Sequence, residues 1–293
     1  MRYAGAGVLW NDAGWYDEWG SWNGPPYAEV IQYLNKHGMK MMNWLCPSSG
    51  YPGSRADREL GPIMTSPFGG LFWLDEAKPE VVDWELNMLS EKVAAWGDHQ
   101  WRYDMTPGHG SDPLLADKGF RRLNREFVTK NPGSAVDACM GGGTWIGVEL
   151  ASYASSGEVT DGGVRDYTCY HASLFIPPDL LHNIVYRLDR NRRNYSLHND
   201  RIQLRGNPVW LDDPAGKGGR KDYRAGSTLG IRAKSLPGTE ALRKDWDIYK
   251  YLMHQRVVGR WSHVFRPRVT GDEAVLYFQR MNREGDKGVI LTT

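Results

Sequence analysis

Asp104 closes an apolar run, Trp101-Arg102-Tyr103-Asp104-Met105, with a guanidinium two residues before it. On a β-strand residues i and i+2 share a face, so Arg102 and Asp104 would point the same way. A cation in that place would hold the carboxylate ionised and bind a ligand hydroxyl. A second acid is offered by Gly157-Glu158-Val159-Thr160-Asp161-Gly162-Gly163. If 158–161 is a strand, Glu158 and Asp161 face opposite sides, and only one of them can meet Asp104. Two carboxylates on one pocket suit glycoside cleavage, in which one attacks the anomeric carbon and the other protonates the leaving oxygen. Asp12, Trp44, Cys139 and Trp210 end other apolar runs and would join them. Periodicity alone leaves other barrel chemistries open.

These residues need a scaffold that gathers the ends of several strands. Gly5–Trp10, Met39–Leu45, Leu71–Leu74, Gln100–Met105, Ser134–Met140, Glu158–Asp161, a stretch within Tyr167–Phe175 and Asn207–Leu211 read as eight strands. Tyr27–His37, a helix opening at Pro79, Asp117–Lys130, Thr144–Tyr153, a helix opening at Pro177-Pro178 and one capped by Thr239 lie between or after them. The helix after Pro79 carries Val82, Leu86, Leu89, Val93 and Trp96 on one face, and Gly97 stops it. Strand–helix alternation of this length predicts an α/β fold, and eight strands favour a closed (β/α)₈ TIM barrel. A doubly wound sheet is the alternative, but no Gly-x-Gly-x-x-Gly follows the first strand. Reactive groups of such barrels sit at the C-terminal ends of the strands. Glu273–Met281 and Lys287–Leu291 alternate about a turn and predict a β-hairpin. The chain therefore divides into a barrel over 1–262 and the beginning of a C-terminal β-sandwich over 263–293, with both ends reading as cuts.

Composition narrows the partners. The net charge is +1, without the basic excess that nucleic acid or anionic membrane surfaces usually require. No run is long and apolar enough to span a bilayer. The start, Met1-Arg2-Tyr3-Ala4-Gly5, lacks the apolar core of a signal peptide, which favours the cytoplasm and leaves secretion open. The cysteines, Cys46, Cys139 and Cys169, are too few and too scattered for a disulfide framework, and no zinc-type spacing is present. No metal or cofactor is expected. The 13 Trp and 15 Tyr are suggestive, because aromatic faces pack against the C–H faces of sugars.

Several segments carry a family resemblance. Trp101–Met105 resembles the nucleophile strand of glycoside hydrolase family 36, usually Lys-Trp-Asp-Met-Asn. Leu9-Trp10-Asn11-Asp12-Ala13-Gly14-Trp15 is similar to the family's first strand, whose aspartate holds sugar hydroxyls. Gly38-Met39-Lys40-Met41-Met42-Asn43-Trp44 resembles its second, where the Trp lines the sugar pocket. Leu74-Asp75 with Pro79-Glu80-Val81, Cys139-Met140-Gly141-Gly142-Gly143 and Ser173–Asp179 resemble later landmarks, in the same order, over roughly residues 5–260.

The resemblance implies a retaining exo-acting α-glycosidase, an α-galactosidase in the first place. Asp104 would be the nucleophile and Asp161 the acid/base, one position out of step with the family's stretch; Glu158 is the alternative and Asp166 a distant third. The two carboxyls of such a pair stand about 5–5.5 Å apart. Asp12, Trp15, Trp44, Arg102, Cys139 and Gly141 would bind an oligosaccharide or glycoconjugate. Members of the family often oligomerise, which implies a homo-oligomer. A raffinose-synthase-like transglycosylase and a non-catalytic carbohydrate-binding barrel are the competing readings. Three positions depart from the pattern: Arg102 replaces the usual Lys, Ala13 replaces an aspartate that helps read galactose, and Thr106 replaces Asn, with His109 close behind.

Overall fold

The computed structural model describes residues 7–25, 27–61, 64–65, 70–105, 110–139, 147–158, 172, 175–176, 180–188, 207–212, 247, 251–252, 261–265, 277–282 and 284–292. The chain forms two compact units. The first holds Gly7–Gly141 with Ser152–Ser155; the second takes in Gly142–Ala151 and Ser156–Thr293.

The first unit is a parallel sheet covered by helices. In chain order it contains β1 (Val8–Asn11), α1 (Ala28–Lys36), β2 (Lys40–Leu45), β3 (Ser49–Gly50), α2 (Arg55–Leu60), β4 (Met64–Thr65), β5 (Phe72–Trp73), α3 (Pro79–Trp96), β6 (Gln100–Tyr103), α4 (Pro113–Lys130) and β7 (Ala135–Ala138). β1, β2, β6 and β7 pair in parallel in that order. The registers are Trp10 with Met42, Trp44 with Arg102, and Arg102 with Asp137. Partnered residues of a parallel sheet share a face, so Trp44, Arg102 and Asp137 form one row.

Leu71–Leu74 departs from its expected place. Phe72 and Trp73 form β5, which pairs antiparallel with β3 and β4 in a separate small sheet, and β2 pairs directly with β6. A short apolar run signals burial without saying which neighbour it pairs with.

The helices follow their local signals. Pro79 occupies the first turn of α3, and Gly97 ends it at φ 94°. Its buried side includes Val82, Leu86, Leu89 and Trp96 as the spacing predicts, and also Glu85. α4 starts four residues earlier than expected, because Asp112 accepts from the Leu114 and Leu115 N–H groups ahead of the apolar face. Trp15, Tyr27, Trp96, His99 and Trp101 interlock between α3 and the sheet, with ring centroids 4.5–6.2 Å apart. Each large apolar side chain buried this completely contributes about 1.5–3 kcal/mol relative to exposure.

In the second unit β8 (Ser156–Glu158), β9 (Leu181–Leu188) and β10 (Asn207–Asp212) pair in parallel, β9 in the middle. β9 corrects the helix expected after Pro177-Pro178, since Ile184, Val185 and Tyr186 favour the extended chain. Within Thr144–Tyr153, expected as a helix, the described residues form a 3-10 turn over Val148–Ser152. β11 (Trp261–Phe265), β12 (Tyr277–Met281) and β13 (Gly288–Thr292) form an antiparallel sheet. The expected hairpin is β12–β13, and β11 begins before the expected boundary at residue 262. Its turn is fixed by Asn282, which donates to Asp286 at 2.6 Å and accepts from the Lys287 N–H at 3.2 Å.

The architecture is thus mixed α/β with parallel sheet. Among the described residues of the first unit β1 pairs with β2 alone. The strand expected within Tyr167–Phe175 falls almost wholly outside the described residues.

Candidate active site

The row Trp44–Arg102–Asp137 lies near the C-terminal ends of its strands. Two residues further on, the same face carries Asp104 after β6 and Cys139 after β7; Asp12 follows Trp10 at the same interval. Asp12, Trp44, Arg102, Asp104 and Cys139 therefore belong to one face and one end of the sheet.

Asp104 is half-buried, and both of its oxygens are engaged. The Trp44 indole N–H donates to Oδ2 at 2.9 Å, and the Met105 backbone N–H donates to Oδ1 at 2.7 Å. The Asp104 N–H itself reaches the Leu45 carbonyl at 2.9 Å and so prolongs the β2–β6 pairing by one step. Met105 turns the chain sharply, at φ 65°, a left-handed conformation uncommon for a non-glycine residue. That turn aims its N–H back at the carboxylate.

Trp44 is buried and held on several sides. Its carbonyl accepts from the Trp15 indole at 2.7 Å, Tyr16 stacks on its ring at 6.0 Å and 26°, and Trp19 meets it edge-on at 5.0 Å and 76°. Tyr16 has its hydroxyl pKa pushed well up, first by burial and then by Cys46 and Tyr51. Trp19 donates to the Ser49 hydroxyl at 2.5 Å. Cys46, two residues past Trp44, is buried, and its thiol pKa is driven far up mainly by that burial, so it is a neutral thiol. Cys139 is also buried, and its N–H donates to the Tyr103 carbonyl at 2.7 Å. Asp12 is exposed and accepts from the Ala13 N–H at 2.8 Å.

Two of the expected sugar contacts, Trp15 and Arg102, are buried. Trp15 lies in the aromatic layer toward α3, 7% exposed, with its indole N–H given to Trp44; it supports the site from behind. Arg102 is 2% exposed. Its Nη1 lies 2.7 Å from Asp137 Oδ2, and its Cζ lies 3.9 Å above the Trp10 ring. It sits beneath the site, because a buried cation requires a counter-charge and β7 supplies one at the matching register. Asp161, Gly141, Thr106 and His109 lie outside the described residues, and Glu158 ends β8.

Sequence reasoning missed Asp137, Trp10, Tyr16 and Cys46. The signal for Asp137 was present: it is a lone acid inside the apolar strand Ala135–Ala138, two residues before Cys139. Among the described residues no three metal-ligating side chains converge. The assembly presents a fixed, half-buried carboxylate beside tryptophan and tyrosine rings.

Solved structures resemble this chain closely in shape. An α-galactosidase from Lactobacillus brevis superposes with a TM-score of 0.73 at 16% identity, covering 99% of this chain and 42% of the other. A glycoside hydrolase family 36 α-galactosidase from Geobacillus stearothermophilus gives 0.73 at 16%, covering 99% and 43%. A variant of a second such enzyme from that organism, in complex with stachyose, gives 0.71 at 15%, covering 98% and 43%. The chain has the fold of the family 36 α-galactosidases. It spans less than half the length of these enzymes. No family model and no curated protein matches the chain by sequence. At this identity the family 36 likeness establishes the fold, and chemistry must be argued from the residues.

Proposed function

We propose that the chain carries the (β/α)₈ catalytic barrel of a retaining exo-acting α-glycosidase that releases terminal α-galactosyl units from oligosaccharides. The observation that carries the reading is Asp104 at a parallel strand end, its oxygens oriented by the Trp44 indole and the Met105 N–H. In the proposed reaction the Asp104 carboxylate attacks the anomeric carbon as the glycosidic C–O bond breaks. An acid protonates the departing oxygen and later removes a proton from water, which releases the sugar and restores Asp104. Asp161 is proposed for that acid, with Glu158 as the alternative.

Asp12 is proposed to bind sugar hydroxyls, and Trp44, Cys139 and Gly141 to line the sugar's place. Ala13 removes a carboxylate that many members carry, so the chain's grip on galactose differs from theirs. Raffinose and stachyose, bound in complexes of the Geobacillus stearothermophilus enzyme, are the first oligosaccharides to offer.

The test is chemical rescue. Asp104→Gly should cost at least about a thousandfold in turnover of an activated aryl α-galactoside. Azide should restore part of it and give the β-galactosyl azide. An Asp104→Gly protein that is fully active and forms no azide adduct would end the proposal. Adding a sugar acceptor to the wild-type reaction shows whether water or a second sugar takes the galactosyl group.

A further inference from the structure

Three aromatic rings lead away from Asp104. Trp44, buried, gives its indole N–H to the carboxylate. Trp19, half-buried, meets the Trp44 ring edge-on at 5.0 Å and 76°. Tyr51, 38% exposed, meets Trp19 in the same manner at 6.1 Å and 76°. Exposure therefore rises with each step from the carboxylate. Tyr16 ties Tyr51 to the candidate site by a second route, because its hydroxyl lies within electrostatic reach of Asp12 as well as of Tyr51.

Tyr51 is held in place by its own loop. Its N–H donates to the Trp19 carbonyl at 3.1 Å, and its carbonyl accepts from the Ser54 N–H at 3.0 Å. The Gly53 N–H donates to Asp57 Oδ2 at 2.6 Å, in the first turn of α2. Gly20, next to Trp19, has φ 94°, and a Cβ there would stand 2.7 Å from the Gly50 Cα. The loops after β1 and β3 thus touch backbone to backbone. A ring fixed in this way meets a ligand at little ordering cost. The Trp19 N–H is given to the Ser49 hydroxyl, so Trp19 supports Tyr51 through its ring.

We infer that Tyr51, backed by Trp19, is a binding platform for the sugar on the leaving-group side of the scissile bond. The inference rests on Asp104 being the nucleophile of an exo-acting glycosidase. Such an enzyme takes a chain end at its carboxylate, so every further sugar of the substrate lies on the leaving-group side. A pyranose is of similar width to an aromatic ring. A glycosyl unit held at Asp104 and Trp44 therefore brings its neighbour to Trp19 and Tyr51. The C–H face of that neighbour packs on the Tyr51 ring.

The test compares a substrate with sugar on the leaving side, raffinose, with one that has none, α-galactosyl fluoride. Turnover of the fluoride also reports that each variant is folded. In Tyr51→Ala the ratio of kcat/KM on raffinose to kcat/KM on the fluoride should fall about five- to tenfold, the loss of one stacking contact. Tyr51→Phe keeps the ring and should hold the ratio to within about twofold of wild type. Calorimetric titration of Asp104→Asn makes the comparison without turnover. Adding Tyr51→Ala to it should weaken raffinose binding about five- to tenfold more than galactose binding. An unchanged ratio in Tyr51→Ala, or a Tyr51→Phe as impaired as Tyr51→Ala, overturns the inference. So does raffinose that fails to bind Asp104→Asn, or that binds the double variant equally well. A wild-type chain that turns over neither substrate, with raffinose binding still dependent on Tyr51, would remove the nucleophile and keep the sugar platform.

Discussion

Replacing Trp44 by Phe keeps a ring between Tyr16 and Trp19 and deletes one N–H. That N–H is the donor to Asp104 Oδ2, and hydrogen bonds to charged groups contribute about 1.5–3 kcal/mol. Trp44→Phe should therefore lower kcat on an aryl α-galactoside by about ten- to a hundredfold, with KM changed little. An unchanged kcat would show that the Trp44 contact does not orient the reacting carboxylate. At this scale the sequence was informative where side-chain direction follows from strand period. Asp12, Trp44, Asp104 and Cys139 share a face as their positions imply. It said less about Arg102, because period two says which face a side chain leaves from and not that its long chain reaches Asp137. Trp15 follows the strand end, and its ring turned into the aromatic layer through contacts with Trp96 and Trp101 that are distant in sequence.

Elements were legible where stop and start signals were strong. Pro79 and Gly97 bracket α3, and the apolar spacing between them gave its buried side. Pairing was less legible: Phe72 and Trp73 are buried as expected but join β3 and β4 instead of the parallel sheet. The close packing of α4 on the turn after β5 was invisible in sequence. Gly119 on α4 lies against the Glu76 carbonyl, and a Cβ there would collide with that backbone atom and press on Val82. Alanine has the higher helix propensity, by about 1 kcal/mol, so a free helix would gain from Gly119→Ala. Here the collision with backbone should win, and overpacking of this kind costs about 1–3 kcal/mol. The variant should unfold at lower urea concentration than wild type. A midpoint equal to or above wild type would show that the turn yields without cost.

For the molecule as a whole, the least expected feature is an acid in the core. Glu85 sits on the buried side of α3, fully inaccessible, and among the described residues neither of its oxygens has a hydrogen-bond partner. Glu76, also buried, accepts from the Ser48 hydroxyl and is the charged neighbour that acts on Glu85. Burial first, and the Glu76 charge second, hold the Glu85 carboxyl well above the ordinary carboxylate range. The sign follows from linkage. The folded chain keeps this proton where the unfolded chain has released it, so stability is full below the unfolded value near pH 4.3 and declines as pH rises toward the folded one. The slope is about 1.4 kcal/mol per pH unit within that window. Tyr103 and Cys46 stand nearby, and burial raises both of their pKa values, so they stay neutral throughout it. Glu85→Gln keeps the shape and cannot ionise. It should be more stable than wild type at pH 7, nearly equal at pH 4.5, and without the decline between them. Urea unfolding followed by tryptophan fluorescence reads this, because the rings of the first unit report its packing. Parallel pH profiles for the two proteins would mean that Glu85 is ionised in the folded chain, and a partner would then have to be found for it in the core.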